Sequence, residues 1–253
     1  MLPAMSKSLL AFAALILLAA CGSEPKTPAP VRPTNIQTIG VISLIGDAIE
    51  LTSSGFAGVG GDFDRSFIPT WRYRELIEQA AAGDLAPSFS AVPVAFDSVA
   101  FRQFVDPVAI PSPDALKRGL QAALAQGNTA DAYLVISPST LRDPVFQSLS
   151  DLTGIGIFHW TALVSSDSVY PFVIGDMTLI DAHTFKTIST TPLSLAPKDS
   201  YRASGYPILP LNGFEWQSKF TAMTPQQGQQ LYGIWRNLLI GSIRFSMSQL
   251  KLT

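Results

Sequence analysis

The chain has 253 residues, 47% of them hydrophobic and only 14% charged, with a formal net charge of −2. No basic run or stripe breaks that balance, which excludes a nucleic-acid interface of the electrostatic kind. The single cysteine, Cys21, excludes an internal disulfide framework and a cysteine-rich metal site.

Residues 1–20 come first, and they read as a signal peptide. Lys7 is followed by an apolar run from Leu9 to Ala20, the length of a signal h-region and short of the roughly 20 residues needed to span a bilayer. Leu18-Ala19-Ala20-Cys21 closes this run and resembles the lipobox of bacterial lipoproteins. That resemblance implies a diacylglyceryl thioether on the Cys21 sulfur, cleavage before Cys21 and acylation of the freed amine. Each buried CH₂ of such chains contributes about 0.8 kcal/mol, and more than one chain makes anchoring stable. Gly22, where Asp signals inner-membrane retention in enterobacterial lipoproteins, implies the outer membrane, facing the periplasm. Residues 21–35 then read as a tether, with Pro25, Pro28, Pro30 and Pro33 favouring an extended polyproline chain of about 3.1 Å per residue.

Residues 36–253 are expected to form one periplasmic α/β (α+β) domain, a mixed central sheet with an antiparallel meander and flanking helices. Ile39–Asp47 is a continuous apolar run ended by Gly-Asp, hence a buried strand, and Ala48–Thr52 follows as a second. Ser53–Asp64 is rich in Gly and small residues and reads as a loop. A first helix begins near Pro69-Thr70-Trp71, with Thr70 as its cap and Gly83 as its stop. Phe89–Phe96 is a strand that Pro93 consigns to an edge. A second helix has Ser112 as N-cap, Pro113 in its first turn and an apolar stripe of Leu116, Leu120, Ala123 and Leu124, closed by Gly127. Tyr133–Ser137 is a buried strand and Asp143–Leu152 a short helix. Ile155–Leu163, Tyr170–Ile180 and Phe185–Leu195 form the meander. Ala196–Trp216, with three prolines and two glycines, is irregular. Thr224-Pro225-Gln226-Gln227 is a capping-box start to a long terminal helix. Its end, Ser242–Leu250, fits either helix or a final strand.

Several chemical motifs fail on inspection. The stretch Gly55–Gly61 lacks the third glycine of a dinucleotide fingerprint and the Gly-Lys-Ser/Thr of a phosphate loop. Asp62-x-Asp64-x-Ser66 opens like a calcium loop, but Phe67 and Tyr73 stand where the turn glycine and the bidentate acid belong. Periplasmic esterases of the SGNH type carry Gly-Asp-Ser after an early strand; here Gly46-Asp47-Ala48 puts a methyl group at the nucleophile's place. His159, between Phe158 and Trp160, reads as a structural imidazole, and it and His183 offer no ligand spacing for a metal. No metal or other cofactor is expected.

The segment from about Pro113 to Leu195 resembles a family of small envelope-lipoprotein domains. Its members include the periplasmic domain of the curli secretion lipoprotein, a penicillin-binding-protein activator lipoprotein and the amino-terminal domain of the Tol-system propeller protein. The shared residues are Asp131-Ala132-Tyr133-Leu134-Val135-Ile136 entering a strand and the turn Asp181-Ala182-His183-Thr184, with Phe185 at the usual glycine. The resemblance implies a non-enzymatic domain that scaffolds or regulates envelope machinery. The expected function is therefore that of an accessory or scaffold lipoprotein. Its partners would be membrane lipid through Cys21 and an envelope protein or the cell wall, with Tyr201, Tyr206, Phe214 and Trp216 as a contact surface. The alternative is a small-ligand binder or hydrolase with a pocket at the end of the first strand, near Asp47, Asp62 and Asp64 in the Gly55–Asp64 loop. The balance leans away from an enzyme.

Overall fold

The computed structural model describes residues 35–46, 48–55, 61–86, 88–105, 112–124, 129–161 and 168–253. The chain divides into two units, Met1–Val31 and Arg32–Thr253, and every described residue belongs to the second. The signal segment, Cys21, Asp47 and Gly127 lie outside the described residues, as do 56–60 of the glycine-rich loop.

In chain order the elements are β1 (Thr38–Ser43), β2 (Ala48–Gly55), β3 (Phe63–Phe67), α1 (Tyr73–Leu85), β4 (Ser90–Val92), α2 (Ser98–Arg102), α3 (Pro113–Ala123), β5 (Ala132–Pro138), β6 (Thr140–Arg142), β7 (Asp151–Thr161), β8 (Ser168–Asp181), β9 (Thr187–Pro192) and α4 (Pro225–Gln249). They build a curled mixed sheet of order β3-β2-β7-β8-β5-β1-β4, with β6 added to β7 and β9 to β8. The spine is β8. Its residues Ser168–Ile174 pair antiparallel with β7, and Gly175–Asp181 pair antiparallel with β5. One layer out, β1 runs parallel to β5 and β2 parallel to β7. The sheet thus has two halves that share β8. β1 lies between parallel neighbours β4 and β5, with Ile39 and Val41 in the main core on one face and Ile42 packed in the Phe101–Leu120 cluster on the other; its sequence is apolar without alternation, as strands covered on both faces require.

Alternation along each strand sorts side chains into layers. On one face, Ile39, Leu51, Leu134, Ile136, Ile155, Ile157, Val173 and Leu179 pack against Ile77 of α1 and Trp235, Leu239 and Ile243 of α4. On the other face of the β1/β5 half, Ile42, Tyr133, Val135 and Ile180 pack against Phe101 and Leu120 of α2 and α3. On that face of the β7 half, Leu152, Phe158, Tyr170, Phe172 and Ile174 meet Phe146, Tyr201, Tyr206 and Ile208 from two irregular segments. Trp235 is fully buried and donates from its indole Nε1 to the Gly156 carbonyl at 3.0 Å. Gly156 itself has no room for a Cβ, which would strike the Glu50 carbonyl and the Phe172 ring.

The mixed α/β architecture, the meander of β7, β8 and β9, and the Ser112 and Thr224 caps stand as expected. Ser112 accepts from Ala115 N at 3.2 Å, and Thr224 and Gln227 cap each other reciprocally. Four local readings are corrected, and a fifth, left open between helix and strand, is resolved as helix. Ser53–Asp64 is not all loop, because Ser53–Gly55 extend β2 and Phe63–Phe67 form β3. Thr70 lies in a separate 3-10 turn, Pro69–Trp71, and α1 starts after Arg72, whose φ of 52° breaks the chain direction. Gly83 does not end α1, since a solvated glycine inside a helix costs only about 1 kcal/mol and packing of Ile77, Ala81 and Leu85 outweighs that. Asp143–Leu152 is no helix: the Asp143 carboxylate accepts from Val145, Phe146 and Ser148 N–H groups, closing turns that lead into β7. Ser242–Gln249 completes α4 and forms no strand.

Candidate functional site

The sequence-predicted ligand residues do not share one described site. Asp62 is exposed ahead of β3, where its backbone exchanges bonds with Ser53: Asp62 N donates to Ser53 Oγ at 2.8 Å, and Ser53 N donates to the Asp62 carbonyl at 2.9 Å. Asp64 is half-buried and accepts from Ser66 Oγ at 3.1 Å and Phe220 N at 3.3 Å. Among the described residues no group of three or more His, Cys, Asp or Glu side chains is placed to hold a metal ion. The four aromatics of the irregular segment are part-buried against the domain. Tyr201 and Tyr206 pack on the Phe158–Phe172 layer, Phe214 and Trp216 on the main core. Trp216 stacks on buried His159 with ring centroids 4.7 Å apart.

The two most exposed aromatics among the described residues lie instead on β3, a terminal strand of the sheet. Phe63 and Phe67 are each 62% exposed. They flank Arg65, whose guanidinium sits 5.6 Å from the Phe63 ring centre. In register with Arg65 is Glu50 of β2, only 3% exposed. Glu50 accepts from Arg65 Nη2 at 3.0 Å, Thr52 Oγ1 at 3.1 Å and Thr153 N at 3.3 Å. Burial pushes the Glu50 carboxyl above its usual range, against the pull of Arg65 and these hydrogen bonds. The buried pair fastens the terminal strand to the sheet and leaves its two phenyl rings outward. Sequence reasoning passes over this arrangement, although the alternation Phe-x-Arg-x-Phe is its one visible signal.

Two concave regions lie among the described residues. A cleft of about 460 Å³ lies at the start of α4, bordered by Trp71, Phe220, Met223 and Tyr232. Its rings pack edge-on against one another, Trp71 to Phe220 at 5.3 Å and Trp71 to Tyr232 at 5.6 Å. A smaller pocket of about 200 Å³ lies between the first turns of α3 and the sheet. Ser137 of β5, Asp176 and Thr178 of β8, exposed Thr190 of β9 and Lys117 line it, and Leu116, Pro138, Ile180 and Phe185 form its apolar part. Ser137 and Asp176 are direct cross-strand partners, as are Thr178 and Thr190, whose hydroxyls are 3.2 Å apart. Burial pushes the Asp176 carboxyl up, and a hydrogen bond with the Ser139 side chain opposes that. Asp176 thus sits within β8, not at the strand end where an isolated Asp is most simply placed.

No family model and no curated protein matches this chain. Among solved structures it is similar to the hypothetical protein CT253 from Chlamydia trachomatis, determined at 1.65 Å resolution. The two share 12% identity over 81% of this chain and 98% of that one, with a TM-score of 0.24.

Proposed function

We propose that the chain is a lipid-anchored protein of the bacterial envelope, held at the outer membrane facing the periplasm, whose folded domain works by contact with other envelope components. The lipobox Leu18–Cys21 and the proline-rich tether support the placement. The observation that carries the contact reading is β3: a terminal strand with two phenylalanines at 62% exposure, pinned by a buried ion pair. Free strand edges are normally blunted by charge or covered, because they recruit further strands. An extended segment of a partner protein is the occupant that such an edge accepts, its backbone completing the ladder and its apolar side chains meeting Phe63 and Phe67.

The test has two readouts. Intact mass of the purified protein is expected to show a lipid-modified residue 21, lost together with membrane association in Cys21→Ser; an unmodified thiol refutes the anchor. A photo-crosslinking amino acid at position 67 is expected to give a discrete protein adduct in intact cells. The same probe at Val99 of α2, itself 70% exposed, is expected to give none. Equal or absent adducts at both positions refute contact through β3.

A further inference from the structure

We propose that the pocket beneath α3 binds a small zwitterion, an α-amino acid of about the size of alanine or serine, with its ammonium on Asp176 and its carboxylate toward Lys117. Carboxylates are depleted from strand interiors and are buried only when something compensates their lost hydration. Asp176 is a half-buried carboxylate within the 14-residue β8, with strands paired to it on both sides. Among the described residues no ion pair joins it to a basic side chain within 4.0 Å, and its side-chain partner is the neutral hydroxyl of Ser139. That leaves a negative group facing a cavity, in want of a cation.

The rest of the lining defines what surrounds that cation. Hydroxyls of Ser137, Thr178 and Thr190 line the middle of the pocket and can both donate and accept. Lys117, from the second turn of α3, is exposed and lines the same pocket. The lining thus carries one acidic and one basic side chain, and a ligand with an ammonium at one end and a carboxylate at the other satisfies both. At a water's share of about 30 Å³, a volume of about 200 Å³ holds roughly seven water-sized groups, which sets the size. The pocket is separate from the β3 edge, so the two readings succeed or fail independently.

Isothermal titration calorimetry of the full chain in detergent with L-serine tests this, using lactate and ethanolamine as probes that lack one charge each. Serine is expected to bind saturably, with a Kd of about 1 mM or tighter, the range small ligands of this size reach. Asp176→Asn is expected to weaken serine at least tenfold, and Lys117→Ala severalfold. Ethanolamine should bind more weakly than serine, and lactate not measurably. Removing a desolvated charge without changing shape leaves the fold intact, so Asp176→Asn should melt no lower than the parent chain. No serine heat at 50 mM, serine binding unchanged in Asp176→Asn, or lactate binding equal to serine would each overturn the proposal.

Discussion

Replacing Arg65 by Met keeps the length of the side chain over Phe63 and strips the charge from Glu50's partner. Glu50 is then a carboxylate at 3% exposure held by one hydroxyl and one backbone N–H. Losing one member of a buried pair costs about 3–5 kcal/mol. Glu50 has an escape, however: it can take up a proton. From its ordinary 4.5 to pH 7 is two and a half units, and at about 1.36 kcal/mol each this is about 3.4 kcal/mol. Because Glu50 already sits above 4.5 in the parent, protonation caps the loss below about 3.4 kcal/mol at pH 7 and below about 0.7 kcal/mol at pH 5, half a unit above 4.5. The sign follows from the raised value of Glu50. A group held up in the folded state contributes its stability below the unfolded value and loses it as pH rises through the folded one. Urea unfolding followed by tryptophan fluorescence, for parent and Arg65→Met at pH 7 and pH 5, reads the difference. The expected destabilisation is about 3 kcal/mol at the higher pH and below about 1 kcal/mol at the lower. Arg65→Met/Glu50→Gln should recover most of the loss at pH 7. A penalty of the same size at both pH values would mean that the arginine acts by packing, and would refute this account of the pair.

Gly156→Ala places a methyl against the Glu50 carbonyl and the Phe172 ring; because one obstacle is backbone, a loss of about 3 kcal/mol or more is expected in urea unfolding. Asp131 accepts from Gln37 N, Thr38 N and Thr38 Oγ1 at 2.8–2.9 Å. Those donors hold its carboxyl below the usual 3.8, so its contribution is present above that pH and fades as pH falls below it. Asp131→Asn should accordingly lower stability at pH 5 and narrow the fall in urea midpoint between pH 5 and pH 3; an unchanged fall would contradict the assignment. Thr224→Ala removes half of the capping box of α4 and should cost about 1 kcal/mol, seen as a melting shift of roughly 2–4 °C.

How far the sequence could be read depended on where each residue finds its partners. β7 was legible because its alternation is uninterrupted, with Ile155, Ile157 and His159 turned to the main core and Phe158 and Trp160 to the opposite side. The caps at Ser112 and Thr224 were legible because their bonds close within three residues. β3 was not: Asp64 and Arg65 look like loop residues until Glu50 and the Phe220 N–H are set beside them. The end of α4 was ambiguous for a related reason. Ser242 and Ser246 share its buried face with Ile243 and Met247, which hides the helical period. Each serine bonds a carbonyl, Leu239 for Ser242 and Pro192 for Ser246, so neither leaves a buried hydroxyl unsatisfied.

Asp176 belongs to a different class. The long-range partners that rescue Glu50, Asp64 and Ser246 are strong enough to explain why those polar residues are tolerated inside. For Asp176 the protein supplies a single neutral hydroxyl partner and a cavity. Sequences that specify a fold agree with themselves from local propensity to core packing, and breaches without internal compensation gather where something outside the chain completes the balance. By that reasoning the pocket under α3 is the place for the amino-acid ligand proposed above.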